Sequence, residues 1–269
     1  MVRIDEKNGK NREKKTRVRL NKAIADRSGY SRREADRLIL DGRVSIGENK
    51  AQTPAISVDE GEDIFIDGKP LGKKSDRFTA IVYNKPKGEL VTRRDGFGRR
   101  LIFDALPERF AGFVSVGRLD YASEGLLILT DSSDMARTLE ESRLERVYNV
   151  KVDGFIKPAA EKAMLEGIVS KEGAHPLSEV KEMEIAGFAG YRIDKNHSRF
   201  SKVKVALKEG KNREIRRFFA HFGLNVLDLK RVSFGEISLN ALPMGKWRYF
   251  SGKEYAFARA FLNLDPHRA

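Results

Sequence analysis

A charged loop between two apolar segments is the first place where this sequence could do chemistry. The segments FVSV and LLILT have the composition of buried strands, and Gly117-Arg118-Leu119-Asp120 lies between them. Strand ends are rigid, so an arginine and a carboxylate delivered from them are well placed to line a cleft. The alternative is a simple turn in which Arg118 and Asp120 pair with each other.

Most other catalytic chemistries lack the residues that they need. The chain has no cysteine, and its histidines (His175, His197, His221 and His267) show no metal-ligand spacing. There is no Walker loop, and Gly96-Phe97-Gly98 lacks the third glycine of a dinucleotide-binding loop. An aspartate-dependent hydrolase is disfavoured because neither metal ligands nor a Ser/His pair is present. We therefore expect no metal and no cofactor.

A basic cluster lies in the segment GKNREIRRFFAHFG. Its apolar residues recur at helical spacing, which predicts a helix with one face in the core: Ile215, Phe218, Phe219 and Phe222. Arg213, Arg216 and Arg217 then project from the opposite side. Such a face is usually just solvated, but it could also bind an anion.

Tyr148 lies in a segment with the alternation of a strand, where it shares one face with Val150 and Val152. A tyrosine on an apolar face more often belongs to the core than to a functional site. Its ring can stack on a planar ligand, however, and its hydroxyl can act as an acid or base.

The overall charge favours a polyanionic partner. The chain carries 52 Lys+Arg against 39 Asp+Glu, a net charge of +13, and such an excess indicates nucleic-acid binding more often than chance. No apolar run approaches the roughly 20 residues of a membrane span, and no apolar core follows the N-terminal charges. With no cysteine, a reducing compartment is the simplest location, so we expect a cytoplasmic protein without a membrane partner.

The N-terminal quarter predicts a basic disordered arm (residues 1–16) followed by a small domain (residues 17–68). Two short helices precede strand-like segments, and Ser31 with Glu34 forms the pattern of a capping box. On the second helix, basic residues lie away from the apolar stripe, where they form a candidate RNA-binding face: Arg32, Arg33 and Arg37.

The rest of the chain predicts a linker (residues 69–77) and a larger domain (residues 78–260). Strand-like segments and helices near residues 131–141, 158–168 and 211–222 alternate without a βαβ rhythm. That order predicts an α+β fold with a mixed, largely antiparallel sheet flanked by helices.

Two known families are similar to these two regions. SRREADRLILDGRVSI, with its helices and basic face, resembles the alpha-L RNA-binding module of some ribosomal proteins. GRLD followed by YASEGLLILT closely resembles the catalytic motif of the ribosomal RNA pseudouridine synthases. Other family motifs occur in the same order: YNKPKG at the start of the larger domain, Arg146-Val147-Tyr148, and EGKNREIRR.

The second resemblance implies roles for individual residues. Asp120 would be the essential carboxylate, Arg216 the arginine that pairs with it, and Tyr148 the residue that packs on the target base. Lys85 of the Lys-Pro motif would help to position the substrate or the site. The remaining basic candidates would contact RNA: Arg118, Arg213 and Arg217, with Arg32, Arg33 and Arg37 on the N-terminal module.

The expected function is isomerisation of a specific uridine to pseudouridine in ribosomal RNA. SRREADR and NREIRR look more like the large-subunit branch of the family, so 23S rRNA is the preferred substrate and 16S rRNA the alternative. The substrate would be ribosomal RNA or a ribosomal subunit precursor, and the enzyme a monomer. A non-enzymatic RNA-binding assembly protein is the alternative from another class, and it would be expected to have lost at least one of Asp120, Tyr148 and Arg216.

Overall fold

The computed structural model describes residues 17–28, 30–59, 61–72, 77–172 and 182–264. The chain divides into two compact units, Met1–Ser75 and Asp76–Ala269. The predicted arm at residues 1–16 lies outside the described residues. No helix in the described part is both long enough and apolar enough to span a membrane.

The N-terminal unit contains two helices and short strands around its own apolar core. In chain order the elements are β1 (Arg17–Arg19), α1 (Leu20–Arg27), α2 (Arg32–Leu40), β2 (Val44–Ile46), β3 (Asn49–Lys50), β4 (Ser57–Asp59), β5 (Ile64–Ile66) and β6 (Lys69–Pro70). The strands form the sheet β3-β2-β5-β6 and the pair β1-β4. Because Lys69–Pro70 pairs with β5, these two residues belong to this unit and not to the linker predicted to start at residue 69.

The capping box that the sequence predicts at α2 is confirmed. The Glu34 amide donates to the Ser31 hydroxyl at 3.3 Å, and the Glu34 carboxylate accepts from the Ser31 amide at 2.7 Å. This arrangement satisfies amides that the first helical turn leaves without partners. The basic side chains predicted to face outward are exposed on this helix: Arg32, Arg33 and Arg37.

The C-terminal unit is built on one large sheet. In chain order its elements are β7 (Ala80–Lys85), α3 (Ile102–Ala105), a 3-10 turn (Glu108–Phe110), β8 (Val114–Ser115), β9 (Glu124–Thr130), α4 (Ser133–Glu140), β10 (Arg146–Asp153), α5 (Pro158–Glu166), β11 (Ile168–Ser170), β12 (Met183–Ile185), β13 (Gly190–Lys195), β14 (Phe200–Leu207), α6 (Glu214–His221), β15 (Val226–Phe234), β16 (Ile237–Ser238), β17 (Trp247–Tyr249) and α7 (Gly252–Phe261). Leu264 still packs on the core, so the unit extends past the predicted end at residue 260.

The sheet has the order β13-β14-β10-β15-β9-β7-β17. Neighbouring strands on this path are antiparallel except for β9 and β15, which run parallel over two residues. The prediction of an α+β fold with a mixed, largely antiparallel sheet is therefore confirmed. The short parallel contact joins Glu124 and Gly125 to Lys230 and Arg231, and it lies at the centre of the sheet.

Helices cover the two faces of this sheet unequally. On one face, α5 and α6 pack across it, and strand alternation directs Leu127, Val150 and Val203 into that core. On the other face, α4 and α7 pack on β7 and β9, with Leu126 and Ile128 directed toward them. The described helices leave the second face of β10, β13 and β14 uncovered, and lysines alternate there with few apolar side chains.

Candidate functional site

The loop of residues 117–123 enters β9 at the parallel contact with β15. Gly125 has a φ of +102°, and a Cβ built on it would collide with the carbonyl oxygen of Arg231 and lie 2.8 Å from its nitrogen. Only glycine tolerates both that backbone angle and that approach. Gly125 therefore allows β9 to start against β15, which places the loop at the middle of the sheet.

The Asp120 side chain is half-buried in this loop, and its closest basic partner is Arg216 of α6. The Arg216 Nε lies 3.6 Å from the Asp120 Oδ2. That separation gives an ion pair that is too long for a hydrogen bond. The structure thus brings together the two charged residues that the sequence placed nearly a hundred positions apart. Asp120 and the exposed Arg118 form no ion pair with each other, so the simple turn considered from the sequence is not what forms.

The Arg216 guanidinium holds the loop as well as facing the carboxylate. Its Nη2 donates to the Ala122 carbonyl at 3.0 Å and to the Ser123 hydroxyl at 3.2 Å, while its Nη1 donates to the Val226 carbonyl at 3.1 Å. Burial lowers the pKa of Arg216 from its ordinary value, but an arginine remains charged in proteins. One cation therefore fastens the loop to the first residue of β15.

Lys85 holds the same loop from the end of β7. It is 0 % exposed, and its ammonium donates to the carbonyls of Pro86 (2.9 Å), Asp120 (3.3 Å) and Ser123 (2.9 Å). Burial lowers the pKa of Lys85 to about 8. Because the ammonium has three donors and meets three carbonyls, its protonated form is matched to this position. Lys85 thus positions the loop, which is one of the two roles that the Lys-Pro motif suggested for it.

A buried acid supports the segment next to the loop. The Tyr83 hydroxyl donates to Glu89 at 2.7 Å, and the Arg100 Nε pairs with the other Glu89 oxygen at 3.1 Å. Burial and the bond to Glu89 raise the pKa of Tyr83 above its ordinary value. The Gly88 amide donates to the Tyr121 carbonyl at 2.8 Å, which connects this segment to the residue after Asp120.

Tyr148 lies in β10, opposite Arg231 of β15. Since Arg231 also pairs with Gly125, Tyr148 is two strands from the start of β9, or roughly 10 Å at ordinary strand spacing. The residue is 8 % exposed and belongs to the core under α5 and α6. Its hydroxyl makes no hydrogen bond to the residues that the structure describes, so it is available to a ligand.

The basic residues predicted to contact RNA from α6 differ in exposure. Arg217 is 1 % exposed, and its Nη2 donates to the Ser170 carbonyl at 3.1 Å while the Ser170 hydroxyl donates to the Arg217 carbonyl. The prediction that Arg217 contacts RNA is therefore wrong, because β11 covers that side of α6. Arg213 precedes α6 at its N-cap with a φ of +54° and is partly exposed.

Arg146 has a role that the sequence did not indicate. Its guanidinium is buried and donates to five carbonyls, those of Leu139, Glu140, Ser142, Leu144 and Lys208. These bonds tie the end of α4 and the segment after it to Lys208, the residue that follows β14. The signal in the sequence was only that an arginine begins a strand pattern two residues before Tyr148.

Comparisons with known proteins show which family the chain belongs to. The model of the RNA pseudouridylate synthase family matches residues 79–221, and that of the S4 domain matches residues 17–64. An uncharacterized RNA pseudouridine synthase of Helicobacter pylori is 45 % identical over 251 residues, which cover 91 % of this chain and 95 % of that protein. The ribosomal large subunit pseudouridine synthase B of Vibrio cholerae is 34 % identical over 93 % of this chain and 77 % of its own.

Among solved structures, a pseudouridylate synthase has a similar fold. The TM-score is 0.59 at 22 % identity, over 88 % of this chain and 97 % of that one.

The low pKa of Lys85 predicts how pH changes stability. In the unfolded chain a lysine titrates near 10.4, whereas folded Lys85 titrates near 8. Between these values the unfolded chain binds more protons, so the free energy of unfolding of the wild type should rise with pH relative to Lys85→Met. Below about pH 8 the difference should be constant, and across the window it should change by about 3 kcal/mol.

Urea unfolding followed by the fluorescence of Trp247, the single tryptophan, measures this difference from pH 7 upward. If the difference in free energy of unfolding between the wild type and Lys85→Met stays constant up to pH 10, the pKa of Lys85 is not lowered in the folded protein. Referring each wild-type value to the variant removes the titration of all other groups.

Proposed function

Because this chain belongs to the RNA pseudouridylate synthase family, we propose that it isomerises one specific uridine of 23S ribosomal RNA to pseudouridine. Its enzyme class, an RNA pseudouridine synthase with an N-terminal S4 domain, follows from the family. The 23S substrate is supported by the similarity to the large-subunit synthase of Vibrio cholerae. The observation that carries the site assignment is the ion pair between Asp120 and Arg216 on a fastened loop.

The reaction breaks the N1–C1′ bond of uridine, turns the base, and joins C1′ to C5. The proton on C5 must leave and N1 must gain one, so the reaction is balanced without a co-substrate. Asp120 supplies an ionised carboxylate, as a nucleophile at C1′ or as a base at the sugar. The Arg216 guanidinium faces this carboxylate at 3.6 Å, and we assign to it the role of holding the carboxylate in place.

Tyr148 is assigned to the uracil base. The residue is 8 % exposed and two strands from the loop, and an aromatic face can stack on a base. Its hydroxyl has no partner among the described residues, so it is free to take part in the transfer of the C5 proton.

The RNA must present an unstacked uridine, because a base within a helix cannot expose C1′ and C5 to the site. Arg118 is exposed in the loop beside Asp120, and Arg213 is partly exposed at the start of α6. We assign both to the RNA strand near the target. The exposed arginines of α2 are assigned to anchoring the RNA through the S4 domain. The substrate is ribosomal RNA or a ribosomal subunit precursor, and the enzyme acts as a cytoplasmic monomer.

Pseudouridine maps test the substrate and the carboxylate together. In cells that lack this gene, one site in 23S rRNA should lose its pseudouridine. The wild-type gene should restore that site, whereas Asp120→Asn should not, because the substitution keeps the size of the side chain and removes its charge. Loss of a site in 16S rRNA would contradict the 23S assignment, and restoration by Asp120→Asn would contradict the role of the carboxylate.

Substitutions of Arg213, Arg216 and Arg217 separate a catalytic role from a general effect of charge and from an effect on folding. Arg216→Ala should lower the single-turnover rate on a target transcript roughly a hundredfold, because even about 1 Å of displacement of a reacting group has that effect. Arg216→Lys should recover part of the rate, since lysine restores the charge without the planar fork.

Arg213→Ala is the matched control and should change RNA affinity more than the single-turnover rate. Arg217→Ala should lower the Tm instead, since it empties a buried position that bonds to Ser170. Equal rate losses in Arg216→Ala and Arg213→Ala, both relieved at low salt, would mean that α6 provides only a diffuse positive field.

A further inference from the structure

The uncovered face of β10, β13, β14 and β15 carries an array of basic side chains. On β14, Val203 and Val205 point into the core, so Lys202 and Lys204 point away from it, and alternation places Lys151, Arg192 and Lys230 on the same face. On β13 a register shift between Ile193 and Lys195 brings Lys195 opposite Lys202. We call this array the lysine face, and its members are Lys151, Arg192, Lys195, Lys202, Lys204 and Lys230. All are exposed or partly exposed.

Like charges stand directly opposite each other across these strands. Lys151 pairs with Lys202 in the register of β10 and β14, and Lys195 also lies opposite Lys202 in that of β13 and β14. Arg192 lies opposite Lys204. Like charges in cross-strand pairs destabilise a sheet. The array is therefore unfavourable in the free protein, and a bound anion would reduce the repulsion between its cations.

The carboxylates beside this array are fewer than its six cations, and they include Glu124, which lies opposite Lys230, and Asp228, whose pKa Lys202 helps to lower. Asp194 pairs with Arg192 at 2.7 Å, and Asp228 is bonded by Lys87 and lies 4.0 Å from Lys151. Within the described residues, Lys202, Lys204 and Lys230 have no carboxylate within ion-pair distance. Their ammonium groups are therefore available to an external anion.

Phe200 contacts two of these cations without neutralising them. The Lys195 Nζ lies 4.3 Å and the Lys151 Nζ 4.9 Å from the centre of its ring. A cation over an aromatic face is held in place but keeps its charge. The ring thus orders the two ammonium groups on either side of Lys202 while leaving them positive.

The lysine face begins next to the loop that carries Asp120. Lys230 lies opposite Glu124, the first residue of β9, and the array continues over β10 and β14 to β13 at the edge. Three strand spacings make this distance about 15 Å. A polyanion that reaches the loop can therefore continue over this face.

We propose that the lysine face binds the phosphate backbone of the RNA that flanks the target uridine. This inference rests on the proposed function insofar as RNA is the substrate. Ammonium groups at strand spacing offer charge but no pattern for a base edge, so the contact adds affinity irrespective of sequence. The face acts in binding, and the chemistry at Asp120 does not depend on it.

The test compares Lys202→Ala/Lys204→Ala with a control that removes the same charge elsewhere, Lys157→Ala/Lys253→Ala. Both control lysines are exposed, at the start of α5 and on α7. The affinity of the full chain for a 23S rRNA transcript and for an unrelated short RNA duplex is measured by fluorescence anisotropy between about 50 and 200 mM salt. Each phosphate contact contributes about 0.7–0.9 to the slope of log affinity against log salt.

The lysine-face variant should bind both RNAs roughly tenfold more weakly at physiological salt, with a slope smaller by about 1.4–1.8. The control should keep the slope and affinity of the wild type. The single-turnover rate at saturating enzyme should be unchanged, and the Tm should be equal or higher because like-charge pairs are removed.

An unchanged slope, or an equal loss in the control, would overturn the proposal, and so would a lower Tm, which would assign these lysines to the fold. The binding assay needs no turnover, so its outcome is separate from the pseudouridine maps. The two proposals can therefore fail separately. If the wild type modifies no 23S site but the lysine-face variant still shows a smaller salt slope, the proposed substrate is wrong and the proposal that the lysine face binds RNA stands.

Discussion

The Arg216 guanidinium occupies the point where the loop of residues 117–123, the first residue of β15 and helix α6 meet. It bonds to the loop at Ala122 and Ser123 and to the strand at Val226, and it faces the Asp120 carboxylate at 3.6 Å. An arginine can do this because its planar group donates in several directions at once. The same cation therefore sets both the position of the loop and the charge around the carboxylate.

Other features of the C-terminal unit bring these groups to one place. The buried face of α6, with Phe218 and Phe219 fully enclosed, fixes the helix from which Arg216 extends. Lys85, at the end of β7, donates to the Asp120 and Ser123 carbonyls of the loop. The loop is therefore held by two cations, Lys85 and Arg216. Gly125 permits the close parallel contact that brings β9 against β15. All three features act on the loop of residues 117–123, so that a short segment is held from several sides.

Local patterns predicted the elements well. The capping box at Ser31, the strand alternation around Tyr148 and the helix with Phe218 and Phe219 inside were all visible in the sequence and are confirmed, because each depends on neighbours within a few positions. The pairing of Asp120 with Arg216 came from a family resemblance and not from any local pattern. Long-range packing decides such contacts.

The error about Arg217 has the same origin. Arg217 lies away from the apolar stripe of α6, but β11 covers that side and buries it against Ser170. For Lys85 the sequence left open whether it positions the substrate or the site, and the three carbonyls that enclose its ammonium favour the site. The segment KVKVAL shows alternating lysines in the sequence. That these lysines face other lysines follows only from the strand order and register.

The protein itself fixes the loop of residues 117–123 before RNA binds. Amide hydrogen exchange of the RNA-free protein tests this directly, at the Ser123 amide, which bonds to the Asp120 carbonyl, and at the Gly88 amide, which bonds to that of Tyr121. In the wild type both should exchange slowly, close to the rate of the β9 amides, and in Arg216→Gln both should exchange much faster while β9 stays protected. If both amides in the wild type exchange as fast as unbonded surface amides, the loop is not preorganised and the central role of Arg216 is contradicted.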